Sequence, residues 1–155
     1  MLKNQLKILG FSLALATTTV FANSSIEEKR FQNEYSQKST HLLVEYSGCN
    51  VSKLNDKQYL EELLTKAAVA GKFTVLKTAF HKFEPQGVTG LLLLSESHLS
   101  IHTWPEHGYA AVDLFTCGQN SPEESEVIIE KALECKFAEK MLMKRGDGIK
   151  TEYHH

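Results

Sequence analysis

Read by its apolar and polar positions, the chain falls into three stretches. Lys3 and Lys7 precede an apolar run from Ile8 to Phe21, which closes on Val20-Phe21-Ala22 ahead of Asn23-Ser24-Ser25. This is the pattern of a secretory signal peptide cut after Ala22. The run is shorter than the ~20 apolar residues that span a bilayer. Thr17-Thr18-Thr19 weakens it further, so no stable membrane association is expected once residues 1–22 are removed. Residues 23–39 are polar and charged with little periodicity and read as a flexible lead-in. The folded domain is expected over residues 40–155.

Within that domain the apolar period switches between two and about 3.6. His41 to Tyr46 is short, apolar and bounded by Ser47-Gly48, which predicts a strand. With Asn55 or Asp56 as N-cap, the apolar positions Leu60, Leu63, Leu64, Ala67 and Ala68 predict a helix that Gly71 stops. Phe73 to Phe83 is rich in β-formers, Pro85-Gln86-Gly87 is a turn, and Val88 to Leu94 suits a buried strand. His98 to Trp104 alternates, Pro105 to Gly108 breaks it, and Tyr109 to Cys117 is a further strand with Ala110, Val112 and Leu114 on one face. Ser121-Pro122-Glu123-Glu124 reads as a capping box with proline at the first helical position. Val127, Ile128, Leu133 and Phe137 supply the apolar stripe behind it. A short strand near Met141 to Lys144 closes the domain. A run of strands between two helices predicts an α+β fold: a two-layer sandwich in which helices cover one face of a largely antiparallel sheet.

Composition narrows the function classes. At 155 residues the chain holds one domain of ordinary size. Seventeen Lys and Arg against nineteen Asp and Glu leave no basic field for a phosphate backbone, so no nucleic-acid partner is expected. The three cysteines, Cys49, Cys117 and Cys135, cannot all pair within one chain, so at least one thiol is free, and none falls in a Cys-x-x-Cys spacing. His98 and His102 are four apart, which on a helix would place two metal ligands on one face. The local β pattern denies them a helix, and no metal is expected.

The densest chemistry lies in Ser95-Glu96-Ser97-His98-Leu99-Ser100-Ile101-His102-Thr103-Trp104-Pro105-Glu106 and runs on to Asp113-Leu114-Phe115-Thr116-Cys117-Gly118. With Ala79 to Gly90 upstream and the start His41-Leu42-Leu43-Val44, this block resembles the short, single-domain S-adenosylmethionine decarboxylases of bacteria and archaea. The resemblance covers roughly residues 40–133. It implies a proenzyme that cuts itself between Glu96 and Ser97 and turns Ser97 into a pyruvoyl cofactor. It further implies a homodimer of cleaved α and β chains with the active site near the subunit contact.

The residues fit that chemistry. A serine hydroxyl held against the preceding carbonyl can exchange the Glu96–Ser97 amide for an ester. Elimination then breaks the chain, and hydrolysis of the resulting dehydroalanine leaves a ketone and releases ammonia. His102 is the candidate proton carrier, since imidazole titrates near neutrality. On a straight strand Ser97 and His102 point to opposite faces, so a tight turn or bulge is expected at Glu96-Ser97. Thr89 offers a hydroxyl to the ester or oxyanion where the family more usually has serine. The pyruvoyl ketone condenses with the substrate amine to a Schiff base, whose electron sink replaces pyridoxal phosphate. Cys117 is, by resemblance, the acid that protonates the carbanion, and a thiol with an ordinary pKa near 8.5 is mostly protonated at neutral pH. Phe83 matches the family's adenine-stacking ring and Glu106 its ribose-binding carboxylate, and Glu45 is a further candidate for the same site. Outside this block, Ser97 would read as a turn serine, Cys117 as a buried thiol, and Phe83 and Trp104 as core.

The leading reading is decarboxylation of S-adenosylmethionine to the aminopropyl donor of spermidine synthesis. Pyruvoyl-dependent decarboxylation of ornithine or arginine is the alternative. An exported, non-catalytic relative is a third reading, against which the intact Glu96-Ser97, His102 and Cys117 set speaks. The resemblance implies a cytoplasmic enzyme, whereas a functional signal segment implies export, where Cys117 is at risk of a disulfide with Cys49 or Cys135.

Overall fold

Residues 38–118, 120–146 and 150–154 are described by a computed structural model, the last stretch through its backbone alone. The signal segment and nearly all of the lead-in lie outside the described residues. In chain order the elements are β1 (Ser39–Ser47), α1 (Val51–Leu54), α2 (Lys57–Ala70), β2 (Val75–Lys82), β3 (Val88–Leu94) and β4 (Ser97–Trp104). A 3₁₀ turn (Pro105–His107) leads into β5 (Tyr109–Cys117), followed by α3 (Pro122–Leu133), β6 (Phe137–Arg145) and β7 (Lys150–His154). Seven strands form one sheet in the order β2-β3-β4-β5-β1-β6-β7, with every neighbouring pair antiparallel. The chain thus forms the expected α+β sandwich, with helices on one face.

Period-two alternation decides which face is which. Leu42, Val44 and Tyr46 of β1, Leu99 and Ile101 of β4, and Ala110, Val112 and Leu114 of β5 are buried. They form one core with Leu60, Leu64, Ala67 and Ala68 of α2 and with Ile129 and Leu133 of α3. Leu91 and Leu93 point the other way and are exposed, as is Trp104. That open face carries the chemistry described below.

The helix termini follow local chemistry. Asp56 caps α2 by accepting the Tyr59 N–H at 3.0 Å, and Gly71 follows its last turn. Ser121 caps α3, accepting the Glu123 N–H at 3.4 Å; the capping-box spacing pointed to Glu124, one residue later. Inside α3, the carboxylate of buried Glu126 accepts the Tyr46 hydroxyl at 2.9 Å and pairs with Lys140 at 2.9 Å, tying helix to sheet through a satisfied polar network.

Several details depart from the sequence expectation. The single turn α1 was not foreseen, β6 is longer than the short strand expected, and β7 adds an edge strand. Phe137 belongs to β6 and is exposed, and Val127 is exposed on α3, so neither joins that helix's buried stripe. Glu134 ends α3 in the left-handed conformation, at φ 55°. Glycine usually holds that position, so nothing in the local sequence announced the stop.

Cys49 and Cys135 form a disulfide across 86 residues of chain, and Cys117 is free. Main-chain bonds frame it: Asn50 N–H donates to the Leu133 carbonyl at 3.0 Å and Lys136 N–H to the Ser47 carbonyl at 3.1 Å. The expectation that Cys117 is threatened by pairing with either cysteine is therefore corrected, because those two are already joined at the corner between β1 and α3. Non-reduced protein is expected to show one reactive thiol, lost in Cys117→Ser. Cys135→Ser is expected to cost about 2–4 kcal/mol of stability without reductant and nothing with it; thiol titration and denaturant melts check both.

Candidate active site

The β3–β4 hairpin builds the centre of the site. Leu94 pairs with Ser97, so Ser95 and Glu96 alone make the connection. Two-residue hairpins need positive φ to match the twist of their strands, a need that glycine usually meets. This loop has no glycine and neither of its two residues has positive φ; the positive φ falls on Ser97, the first residue of β4, at 148°. Such a conformation costs a non-glycine residue on the order of 1–3 kcal/mol. The turn expected at Glu96-Ser97 is thus present, with its strain at the serine.

β5 completes this end of the site. Ser97 pairs with Thr116, which places Cys117 beside Glu96, and Cys117 N–H donates to the Glu96 carbonyl at 3.0 Å. That carbonyl is the one a Ser97 hydroxyl would attack, and a fixed backbone donor on its oxygen favours negative charge there. The half-buried thiol of Cys117 belongs to the same end of the sheet. The imidazole nearest the Ser97 hydroxyl is His98, whose Nδ1 lies 3.4 Å away.

His102 lies elsewhere. β4 runs in unbroken register from Ser97 to Trp104 against β5, so five residues separate Ser97 from His102 by about 16–17 Å at the usual rise. The expected meeting of the two within one chain does not occur, because the bend sits at the start of the strand and not between them. His102 Nδ1 instead shares a 2.9 Å hydrogen bond with the Thr89 hydroxyl, and Thr89 is its cross-strand partner. Thr89 therefore serves His102 in this chain, not an ester at Ser97.

The candidate substrate residues gather at the His102 end. Glu45 faces Ala111, the residue that also pairs with His102, and accepts a hydrogen bond from the Tyr109 hydroxyl. Burial and then that carboxylate push the Tyr109 hydroxyl up to about 12. Trp104 stacks obliquely on Tyr109 with ring centres 5.2 Å apart. Glu106, on the 3₁₀ turn, accepts from Gln86 at 3.2 Å. Phe83, in the β2–β3 loop, is exposed and meets His81 edge-on at 4.6 Å. One end of the sheet thus carries Glu96, Ser97 and Cys117, and the other carries Thr89, His102, Phe83, Glu106 and Glu45. Among the described residues no cluster of His, Cys, Asp or Glu is arranged to hold a metal ion.

Sequence reasoning passed over the aromatic group beside Ser97. His41 packs edge-on against His98 at 6.3 Å and Phe115 at 5.5 Å, and the Arg145 guanidinium lies 4.8 Å from the Phe115 ring centre. The His41 Nε2 is buried without a hydrogen-bond partner among the described residues. Its place on β1, in phase with Glu45, was the available signal. Burial holds the His41 imidazole below its usual range, with Arg145 and His98 adding to the effect and Asp113 opposing it. A lowered value in the folded state means that the unfolded chain takes up the proton first, so stability is full above pH 6.5 and falls as pH drops. His41→Phe is expected to flatten this loss in urea melts between about pH 7 and 5; an unchanged slope would assign it to another group.

Known proteins resemble this chain in sequence and in fold. Residues 40–146 match the family model described as S-adenosylmethionine decarboxylase. A protein of Thermodesulfovibrio yellowstonii named S-adenosylmethionine decarboxylase proenzyme is 45% identical over 108 residues, covering 69% of this chain and 80% of its own. A Prochlorococcus marinus protein of the same name is 53% identical over 97 residues, covering 62% and 78%. The crystal structure of the adenosylmethionine decarboxylase from Aquifex aeolicus superposes with a TM-score of 0.67 at 34% identity, covering 77% of this chain and 98% of that one.

Proposed function

The chain belongs to the S-adenosylmethionine decarboxylase family, and from that premise we propose that it is made as a proenzyme, cuts itself between Glu96 and Ser97, and decarboxylates S-adenosylmethionine. The product supplies the aminopropyl group for spermidine synthesis. The observation that carries the reading is the strained Ser97 at φ 148°, next to a carbonyl already held by the Cys117 N–H at 3.0 Å.

In the cut, the Ser97 oxygen bonds to the Glu96 carbonyl carbon, the C–N bond breaks, and the hydroxyl proton passes to the freed nitrogen. Loss of the Ser97 Cα proton then expels the Glu96 carboxylate, and water replaces the nitrogen as ammonia. The fit of the pyruvoyl group to this place rests on Ser97 itself, positioned where the chain can be opened without dismantling the sheet. The pyruvoyl carbonyl supplies an electron sink for loss of carbon dioxide from an amine-bearing substrate. Cys117 then delivers a proton to the carbon that has lost carbon dioxide. Phe83 stacks the adenine, Glu106 holds the ribose hydroxyls, and Glu45 lines the same region.

A second copy of the chain completes the site in this reading. The open face leaves Leu91, Leu93 and Trp104 exposed, and the two halves of the chemistry lie at opposite ends of it. Two sheets packed face to face about a twofold axis place the Thr89–His102 pair of one chain against Ser97 of the other. The arrangement is a homodimer, and its two sites each draw on both chains.

The reading locates catalysis in the cytoplasm, with the substrate. One observation favours export instead: the Cys49–Cys135 disulfide is of a kind that persists in oxidising compartments. Intact mass of the purified protein reports the N-terminal cut and the internal cut together.

Ser97→Ala is expected to leave one uncut chain, and His102→Ala to leave its chain uncut when alone. Co-expressed, the two variants should cut the His102→Ala chain, because its Ser97 receives the other subunit's His102. Absence of any cutting in the mixed dimer returns the proton carrier to the same chain, with His98 the nearest ring.

Cys117→Ala retains the N–H and is expected to cut, yet turnover should fall roughly 10²–10⁴-fold, the usual share of a positioned proton donor. Steady-state kinetics with a mass measurement of the terminus checks this, since misplaced protonation leaves an alanine there. A rate near that of the unmodified enzyme would make the thiol a packing residue.

A further inference from the structure

The Ser95-Glu96 connection is gripped from two sides, and only one of them is Cys117. On the side of β2, the Thr74 carbonyl accepts the Ser95 N–H at 2.9 Å. The Thr74 N–H donates to Glu96 Oε2 at 3.0 Å, and its hydroxyl donates to Oε1 at 3.2 Å. Both oxygens of one carboxylate are thus taken by one residue, which immediately precedes a strand. The pairing of Val75 with Leu94 and the shift in register that follows it fix Thr74 opposite the turn.

A hairpin strained at Ser97 can relieve itself by rotating the peptide that links Glu96 to Ser97. The bond from Cys117 N–H to the Glu96 carbonyl resists this at one point, about which the residue can still pivot. A second hold on the far side, through the side chain of the same residue, removes the pivot. We propose that Thr74 is a positioning residue for the self-cleavage: by holding the Glu96 carboxylate it keeps the scissile carbonyl facing the Ser97 hydroxyl. It touches neither substrate nor the reacting atoms. The inference rests on the self-cleavage reading above.

The test follows the uncut chain to two fragments by intact mass over time. Thr74→Val keeps the backbone N–H bond and loses the hydroxyl, and is expected to cut roughly three- to tenfold more slowly, in line with one hydrogen bond to a charged group. Thr74→Ser should restore the rate. Glu96→Gln keeps an acceptor for only one of the two Thr74 donors, turns an amide NH₂ toward the other, and should be slowed as well. The double variant Thr74→Val/Glu96→Gln should be no slower than Glu96→Gln alone, because both changes remove the same contact. Hydroxylamine, which cleaves esters, should not open the slowed Thr74→Val chain, since its delay precedes ester formation. Cutting of Thr74→Val at the unmodified rate, or multiplication of the two single effects, overturns the role of Thr74. If the unmodified chain is never cut, the self-cleavage reading itself fails, and that result is distinct from either.

Discussion

A backbone at φ 148° on a serine and a 3.0 Å hydrogen bond from the next strand to the carbonyl before it together set the rest of this structure in place. The conformation is unfavourable to any residue with a β-carbon, so it survives only where the neighbouring strands over-determine it. β3 and β4 are paired along their length, and β5 closes against β4 in full register. The buried leucines behind them leave the hairpin no slack. In the proposed reaction the sheet's stability is what keeps a peptide bond in a reactive geometry until it opens.

Much of this was legible in the sequence because its signals are local and periodic. The alternation from Tyr109 to Cys117 gave both the extent of β5 and its buried face, and Asp56 and Gly71 marked the ends of α2. The parity argument on Ser97 and His102 forced a bend near the serine, which the fold contains. It did not reveal that the bend leaves the two residues apart, since parity fixes a face and says nothing of distance along a strand. Phe137 continued the helical spacing of α3, but the chain leaves the helix at Glu134, where a left-handed residue carries no compositional sign. Thr74 and His41 were illegible for another reason. Their importance comes from pairings between strands remote in sequence, and a single chain read in order does not display register.

The distribution of candidate residues follows from the architecture. An antiparallel sheet covered by helices on one side offers its other face for chemistry. Along β4, however, that face admits a side chain only at every second position, so a strand long enough to be stable spreads its functional residues over many ångströms. Ser97 and Cys117 occupy one end of the sheet, while His102, Glu106 and Phe83 occupy the other. A monomer can unite such ends only by folding the sheet upon itself, which its continuous register forbids. In the proposed dimer a twofold axis across the open face unites them without bending any strand, and it covers Leu91, Leu93 and Trp104 at the same time.

In the proposed mechanism Cys117 serves two steps that require different atoms. In a pleated strand the backbone N–H lies in the plane of the sheet, and the side chain stands off it. The Cys117 N–H is therefore directed along the hydrogen-bond ladder at the Glu96 carbonyl, while its thiol stays out of that ladder. The backbone contribution does not depend on the side chain, and the side chain contributes nothing to the carbonyl. Cleavage and turnover can then be affected separately at a single position, provided that the strand around it keeps its register. That register is held by the pairing of Ser97 with Thr116, whose buried side chain anchors the end of β5 in the core. In the proposed reaction the proton donor is delivered to the reacting carbon by the same strand pairing that prepares the bond to be cut, so the geometry of the second step is inherited from the first.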